Sequence, residues 1–195
     1  MKIIGITGSS GSGKSTASKI MAEELGAKVI DADKVVKQMQ TPGQIYFEKI
    51  VELFGREILQ KDGVLNRRKI AQIIFQDELK KEKLNKLTYK YVVEEIKTQI
   101  KNIQEKNVII DAPLLIESKL NKICDVTVAV TSNENEQIKR ICRRDNIEEN
   151  DAKLRIKAQK NNDFYKTNVD YIVENNGGTY NEFVGRIRML VQELR

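Results

Sequence analysis

The eight residues Gly8-Ser9-Ser10-Gly11-Ser12-Gly13-Lys14-Ser15 constrain the fold of this chain more than any other stretch. A short β-branched segment, residues 2–6, runs into them. Beyond them Ala17, Ile20, Met21 and Leu25 recur at helical spacing until Gly26. The order is therefore strand, glycine loop, helix. Glycines let the backbone turn with its amides pointing inward, Lys14 supplies a point charge, and Ser15 offers a hydroxyl that can hold Mg²⁺. The helix adds the positive end of its dipole. Every fixed position of G-x-x-x-x-G-K-[ST] is met, and a chance match in 195 residues of ordinary composition is on the order of 1%. A flexible Gly/Ser turn would not require lysine at that one place. A nucleoside triphosphate is the expected ligand.

The absence of histidine narrows the chemistry further. Ser-His-Asp and Cys-His nucleophile systems, imidazole-ligated zinc and histidine general bases are all excluded, leaving carboxylates, Lys, Tyr or Cys for proton transfer. The length suits one domain with a substantial insertion. Cys124 and Cys142 make no disulfide framework, the N-terminus does not read as a signal peptide, and apolar runs such as residues 108–110 are too short to span a bilayer. A cytoplasmic protein without a membrane partner is expected. The 34 basic against 28 acidic residues give a charge of +6, which attracts polyphosphates of any kind, nucleic acid included. The lysine-rich run 80–106, however, is interleaved with Glu82, Glu94, Glu95 and Glu105 and with apolar residues at helical spacing, as on a solvated helix face.

Four more short apolar runs read as strands: residues 28–30, 108–110, 126–130 and 171–173. Between the second and third strands more than 70 residues favour helical spacing, with Ile45, Ile50, Phe54, then Ile70, Ile73, Ile74, then Leu84, Leu87 and Tyr91. Phe183, Ile187, Leu190, Val191 and Leu194 form the stripe of a final helix. Alternating strands and helices predict an α/β three-layer sandwich around a parallel sheet of five strands.

Candidate chemistry gathers at strand ends, where ligands of open α/β sheets collect. Asp31 and Asp33 close the second strand; in extended chain they would face the same way. Either could accept a hydroxyl proton or hold Mg²⁺ through water, or it could cap the next helix. Asp111 closes the third strand, where an Asp orients Mg²⁺ water, bonds the loop serine or caps a helix. Gln137, Arg140 and Arg144 share one helix face, either as two guanidinium groups for a triphosphate or as a salt-bridge cluster with Asp145 and Glu148. Asn175-Asn176-Gly177-Gly178 follows the last strand. It is a turn signal, and also a place from which amides could read adenine.

Taken together, these residues resemble the dephospho-CoA kinase family nearly end to end. The resemblance rests on Ile6-Thr7-Gly8 and the phosphate loop, Asp31-Ala32-Asp33, Pro42-Gly43, Asp62-Gly63-Val64-Leu65-Asn66-Arg67-Arg68 and Leu84-Asn85. It continues in Asp111-Ala112-Pro113-Leu114-Leu115-Ile116-Glu117, in Gln137 with Arg140 and Arg144, and in Asn175-Asn176-Gly177. It implies a three-layer α/β/α P-loop kinase fold with a core of about residues 1–32, 107–132 and 165–195. A helical substrate-binding insertion of about 33–106 and a lid of about 133–164 complete it. The implied reaction moves the ATP γ-phosphate, with Mg²⁺, to the ribose 3′-hydroxyl of dephospho-CoA, the final step of coenzyme A synthesis, with no obligatory protein partner.

Carried onto this chain, Asp33 becomes the base and Lys14 and Arg140 its catalytic companions. Gly8, Gly11, Ser12, Gly13, Lys14, Ser15, Thr16, Arg140, Arg144, Asn175 and Gly177 fall to ATP; Thr7, Asp33, Asp111, Leu114 and Leu115 fall to the acceptor. Ser15 falls to Mg²⁺, with Asp31 or Asp111 through water. The chain departs from the usual pattern at Ser9-Ser10, where Gly-Ile is common, at Ala112, where Val is frequent, and at Tyr89-Lys90, where many members carry His-Pro. The rival readings are a shikimate- or nucleoside-monophosphate-type kinase of the same fold, against which the long helical insertion and the Asn-Asn-Gly end speak, and a nucleic-acid-binding P-loop protein without kinase activity.

Overall fold

A computed structural model describes all 195 residues. In chain order the elements are β1 (Lys2–Thr7), α1 (Lys14–Leu25), β2 (Lys28–Asp31), α2 (Ala32–Met39), α3 (Ile45–Phe54), α4 (Arg67–Gln76) and α5 (Glu78–Lys101). There follow β3 (Asn107–Asp111), β4 (Val126–Thr131), α6 (Glu134–Asp145), α7 (Glu149–Lys157), α8 (Asn162–Asn168), β5 (Tyr171–Glu174) and α9 (Tyr180–Leu194). Each expected strand is present and runs one or two residues further than its apolar core. The chain divides into two compact units, Met1–Asp31 with Ile103–Arg195, and Ala32–Asn102.

In the first unit the five strands are all parallel, in the order β2-β3-β1-β4-β5. From β1 the chain builds β2 and β3 on one side and then crosses to β4 and β5 on the other, so the order reverses at β1 and a crevice opens at its carboxyl end, where the loop 8–13 begins. One face of the sheet is covered by α1 and α9. Ala17, Ile20 and Met21 meet Phe183, Ile187, Leu190 and Val191 over Ile4, Ile6, Ile109 and Val128. Complete burial of a side chain such as Ile187 stabilises the fold by about 2 kcal/mol. The start of α9 is fixed by a reciprocal pair of bonds between Thr179 and Glu182. On the other face the segment after β3 closes directly on β1 because residue 5 is glycine: a Cβ there would lie 2.8 Å from both Cys124 Sγ and a Leu115 methyl. The same burial pushes the Cys124 thiol up to about 12.

The second unit is helical. Val35 and Met39 of α2, Tyr46, Phe47, Ile50 and Phe54 of α3, and Val92 and Ile96 of α5 are buried. Tyr46 Oη lies 2.6 Å from Thr88 Oγ1, tying α3 to α5, and burial raises the phenol's pKa. Along α5, Lys81, Lys86 and Lys97 pair with Glu78, Glu82 and Glu94 at 3.1, 3.5 and 3.2 Å. Three lysines of the run are thus paired with glutamates along the solvated side of α5. No helix of the chain is long and apolar enough to cross a membrane.

One geometric expectation fails. Asp31-Ala32-Asp33 is not continuously extended: Asp31 is the last residue of β2, whereas Ala32 and Asp33 already belong to α2. The two carboxylates therefore do not share a strand face. An aspartate in the first turn complements the helix dipole, and Ala32, Val35 and Met39 give α2 a buried side at helical spacing, so helix prevails over extension here.

Candidate active site

The loop between β1 and α1 is held open by contacts to its outer surface. Gly8 has φ of 148°, and a Cβ on it would lie 2.3 Å from the Val130 carbonyl oxygen of β4. Gly13 adopts φ of 99°, and a Cβ there would come within 2.5 Å of Asn175 Nδ2. Neither position admits another residue without displacing backbone or breaking a hydrogen bond. Asn175 Nδ2 donates to the Ser12 carbonyl at 2.8 Å. Arg140 Nη1 donates to the Gly11 carbonyl at 3.1 Å and to Ser132 Oγ at 3.2 Å, and its Nη2 donates to the Asn175 carbonyl at 3.1 Å. Ser132 Oγ itself donates to the same Asn175 carbonyl at 2.6 Å. Buried Gln137 donates from Nε2 to Ser9 Oγ at 2.6 Å.

Because a trans peptide points its N–H away from its C=O, drawing the Ser12 carbonyl outward turns the Gly13 N–H inward. The helix start completes the effect. Asn66, Asp77, Asn133, Asn161 and Thr179 each cap a helix through a side-chain oxygen; α3 and α7 lack such a bond, and the N-cap of α1, Gly13, has no side chain to make one. The opening N–H groups of α1 are thereby left for an anion.

Lys14 Nζ is held on Asp111 Oδ1, with both side chains largely buried. Asp111 lies beside Asp31 in the sheet register, at the carboxyl ends of β3 and β2. Ser15 and Thr16 are exposed in the first turn of α1. No cluster of three or more Cys, Asp or Glu side chains able to hold a metal exists in the chain.

The structure redistributes several expected roles. Arg140 does not stand open toward a ligand; its donors are engaged by loop carbonyls, Ser132 and Asn175. Arg144, one turn on, pairs with Asp145 at 2.8 Å and donates to Ser10 Oγ of the loop at 3.2 Å. Its hydrogen bonds hold the Asp145 carboxyl below its ordinary pKa. Asn175 supports the loop backbone, and Gly177 with φ of 102° makes the turn that follows. The Ser12 hydroxyl is fully buried without a partner, so Ser12 serves the loop through its backbone. Thr7 is fully buried as well, donating to the Pro113 carbonyl at 3.0 Å. Leu115 lies in the core, which leaves Leu114, half exposed, as the surface residue of that pair.

Two sets of residues escape the sequence reading. Ser132, just past the end of β4, joins Arg140 to Asn175; only its place at a strand's carboxyl end could have signalled it. In the helical unit a cleft of about 490 Å³ is lined by Lys37, Arg67 and Arg68 together with Pro42, Leu65 and Asn66, with no carboxylate among its walls. None of the three cations makes an ion pair within the chain.

A parallel sheet of this order, with an uncapped helix behind a glycine loop and a lysine at its mouth, defines a P-loop kinase. The profile of the dephospho-CoA kinase family matches residues 2–181. A dephospho-CoA kinase of Carboxydothermus hydrogenoformans is 36% identical over 180 residues, spanning 91% of this chain and 87% of its own. A Thermus thermophilus protein of known crystal structure superposes with a TM-score of 0.84 at 25% identity, covering 100% of this chain and 98% of that one. The dephospho-CoA kinase of Campylobacter jejuni shares the fold, with a TM-score of 0.61 at 24% identity over 99% of this chain and 97% of its own. The chain belongs to the dephospho-CoA kinase family.

Proposed function

We propose that this chain transfers the γ-phosphate of ATP to the ribose 3′-hydroxyl of dephospho-CoA, giving coenzyme A and ADP. The observation that carries the phosphoryl half is the uncapped start of α1, with the loop carbonyls tied back by Arg140 and Asn175. Family membership carries the acceptor. Lys14 exchanges Asp111 for β- and γ-phosphate oxygens. Arg140 acts by keeping the loop in shape. Asp33 takes the proton as the 3′-oxygen bonds to phosphorus and the bond to ADP breaks.

The residues present suit Mg²⁺. Magnesium keeps much of its shell from water and substrate phosphates rather than from a protein cage, which fits a single exposed hydroxyl at Ser15 and the absence of a carboxylate cluster. When bound it neutralises charge on the transferring phosphate. Asp31 or Asp111 would hold it through water.

We assign acceptor binding to the helical unit. Its cleft combines unpaired Lys37, Arg67 and Arg68 with apolar Pro42 and Leu65, and an acceptor with a diphosphate and a long uncharged arm would match both. The activity belongs in a reducing compartment, consistent with free Cys124 and Cys142.

The direct test is to incubate purified protein with ATP, Mg²⁺ and dephospho-CoA and to follow coenzyme A and ADP by mass spectrometry. Equal formation of both is expected. Turnover of shikimate or a nucleoside monophosphate in place of dephospho-CoA would overturn the acceptor assignment.

A further inference from the structure

Ser10 carries an attachment that the phosphate loop does not need for its own shape. Its N–H donates to Gln159 Oε1 at 2.7 Å, and its hydroxyl accepts from Arg144 Nη2. Gln159 does not dangle from a free loop. Its backbone N–H closes the end of α7 on the Ile156 carbonyl at 3.0 Å. Helix α7 in turn packs on α6 through Ala152, Ile138 and Ile141. The Arg155 guanidinium bonds the Asp145 carboxylate that also holds Arg144. Two packed helices therefore deliver one side-chain amide to the middle of the loop.

The orientation of that amide is forced. A backbone N–H can only be met by the amide oxygen, so the Gln159 NH₂ group is the end left over. No group of the chain takes its hydrogens. A neutral donor is thus fixed beside a loop built for a polyanion. The backbone N–H groups at the α1 end of the loop serve the α- and β-phosphates and Lys14 reaches toward the β- and γ-phosphates, so a neutral donor on the opposite arm lies on the side of the terminal phosphate and adds to Lys14 there.

We propose that Gln159 binds the γ-phosphate of ATP through Nε2–H while Oε1 stays on the Ser10 N–H, making it a reader of triphosphate over diphosphate. The proposal rests on the ATP reading of the loop and not on the identity of the acceptor. Binding of Mg-ADP and of a non-hydrolysable Mg-ATP analogue, measured by calorimetry without acceptor, tests it. Gln159→Ala should weaken the analogue about tenfold and ADP less than about twofold, the usual range for a hydrogen bond to a charged group. Gln159→Glu retains an acceptor for Ser10 but puts a negative charge where the donor was, and should weaken the analogue more than Gln159→Ala does. Ser10→Ala keeps the backbone N–H and loses only the Arg144 bond, so it should discriminate between the two nucleotides as the parent does.

Equal losses for both nucleotides in Gln159→Ala would make Gln159 a structural anchor of the loop and overturn the inference. An unchanged analogue affinity in Gln159→Glu, or loss of discrimination in Ser10→Ala, would also overturn it. Failure of the parent protein to bind either nucleotide would instead overturn the ATP reading itself, and a parent that binds both but does not phosphorylate dephospho-CoA would overturn only the acceptor assignment.

Discussion

The phosphate loop and the cleft of the helical unit are both cationic, but they hold their charges in opposite ways. Around the loop, Lys14 sits on Asp111, Arg140 is tied to carbonyl and hydroxyl oxygens, and Arg144 shares Asp145 with Arg155. In the cleft, Lys37, Arg67 and Arg68 have no carboxylate partner. On the proposed function, the difference separates chemistry from capture. Groups of the loop are held in place by the protein before a substrate arrives, so little of their order has to be created when charge develops on a transferring phosphate. Groups that only collect an anionic substrate can stay in water until it arrives.

Variants on the two sides should separate in their kinetics. Lys14→Ala is expected to have the largest effect, a fall in kcat/KM of about 1,000-fold, the upper range for removing one electrostatic stabiliser. Steady-state assays with varied ATP would show it, and a modest effect would mean that Asp111 holds Lys14 for structural reasons. Asp33→Asn should lose at least about 100-fold in kcat while nucleotide affinity is kept. Near-normal turnover would reduce Asp33 to a favourable charge in the first turn of α2.

The double substitution of Arg67→Ala with Arg68→Ala should raise KM for dephospho-CoA about tenfold or more, as expected for losing hydrogen bonds to a charged group, with kcat and KM for ATP little changed. A matching loss in kcat would erase the contrast drawn between cleft and loop. Thr7→Val should have the smallest effect. It removes a buried hydroxyl bond, so thermal unfolding should reveal about 1 kcal/mol of destabilisation or somewhat more. Acceptor KM should not move, and a large change there would restore Thr7 to the acceptor site.

The legible part of the molecule is the part encoded locally. Strand, glycine loop and helix were recognisable from residues 2–25 because the apolar spacing, the glycines and Lys14 are contiguous. The remaining strands stood out because buried parallel strands are continuous apolar runs. Asp33 was misplaced in geometry because the boundary between extended chain and helix turns on the packing of Ala32, Val35 and Met39, which a three-residue motif does not reveal. Leu115 and Thr7 look like neighbours of a site in sequence, yet the fold points both into the interior. The salt-bridge and ligand readings of Arg144 could not be separated by spacing, and its guanidinium reaches both Asp145 and Ser10.

By itself the sequence determined that this chain binds a triphosphate, since every requirement of that cradle lies within eight consecutive residues and the helix they open. It also determined, by having no histidine, that a carboxylate is the leading candidate for the proton. Only the tertiary structure decided that Arg140 and Asn175 grip the outside of the loop, that Ser132 joins them, and that Gln159 reaches its middle. These contacts link residues as far apart as Ser12 and Asn175, or Ser10 and Gln159. Their partners become neighbours only once the parallel sheet has brought the ends of β1, β4 and β5 to one edge, and no local spacing carries that information.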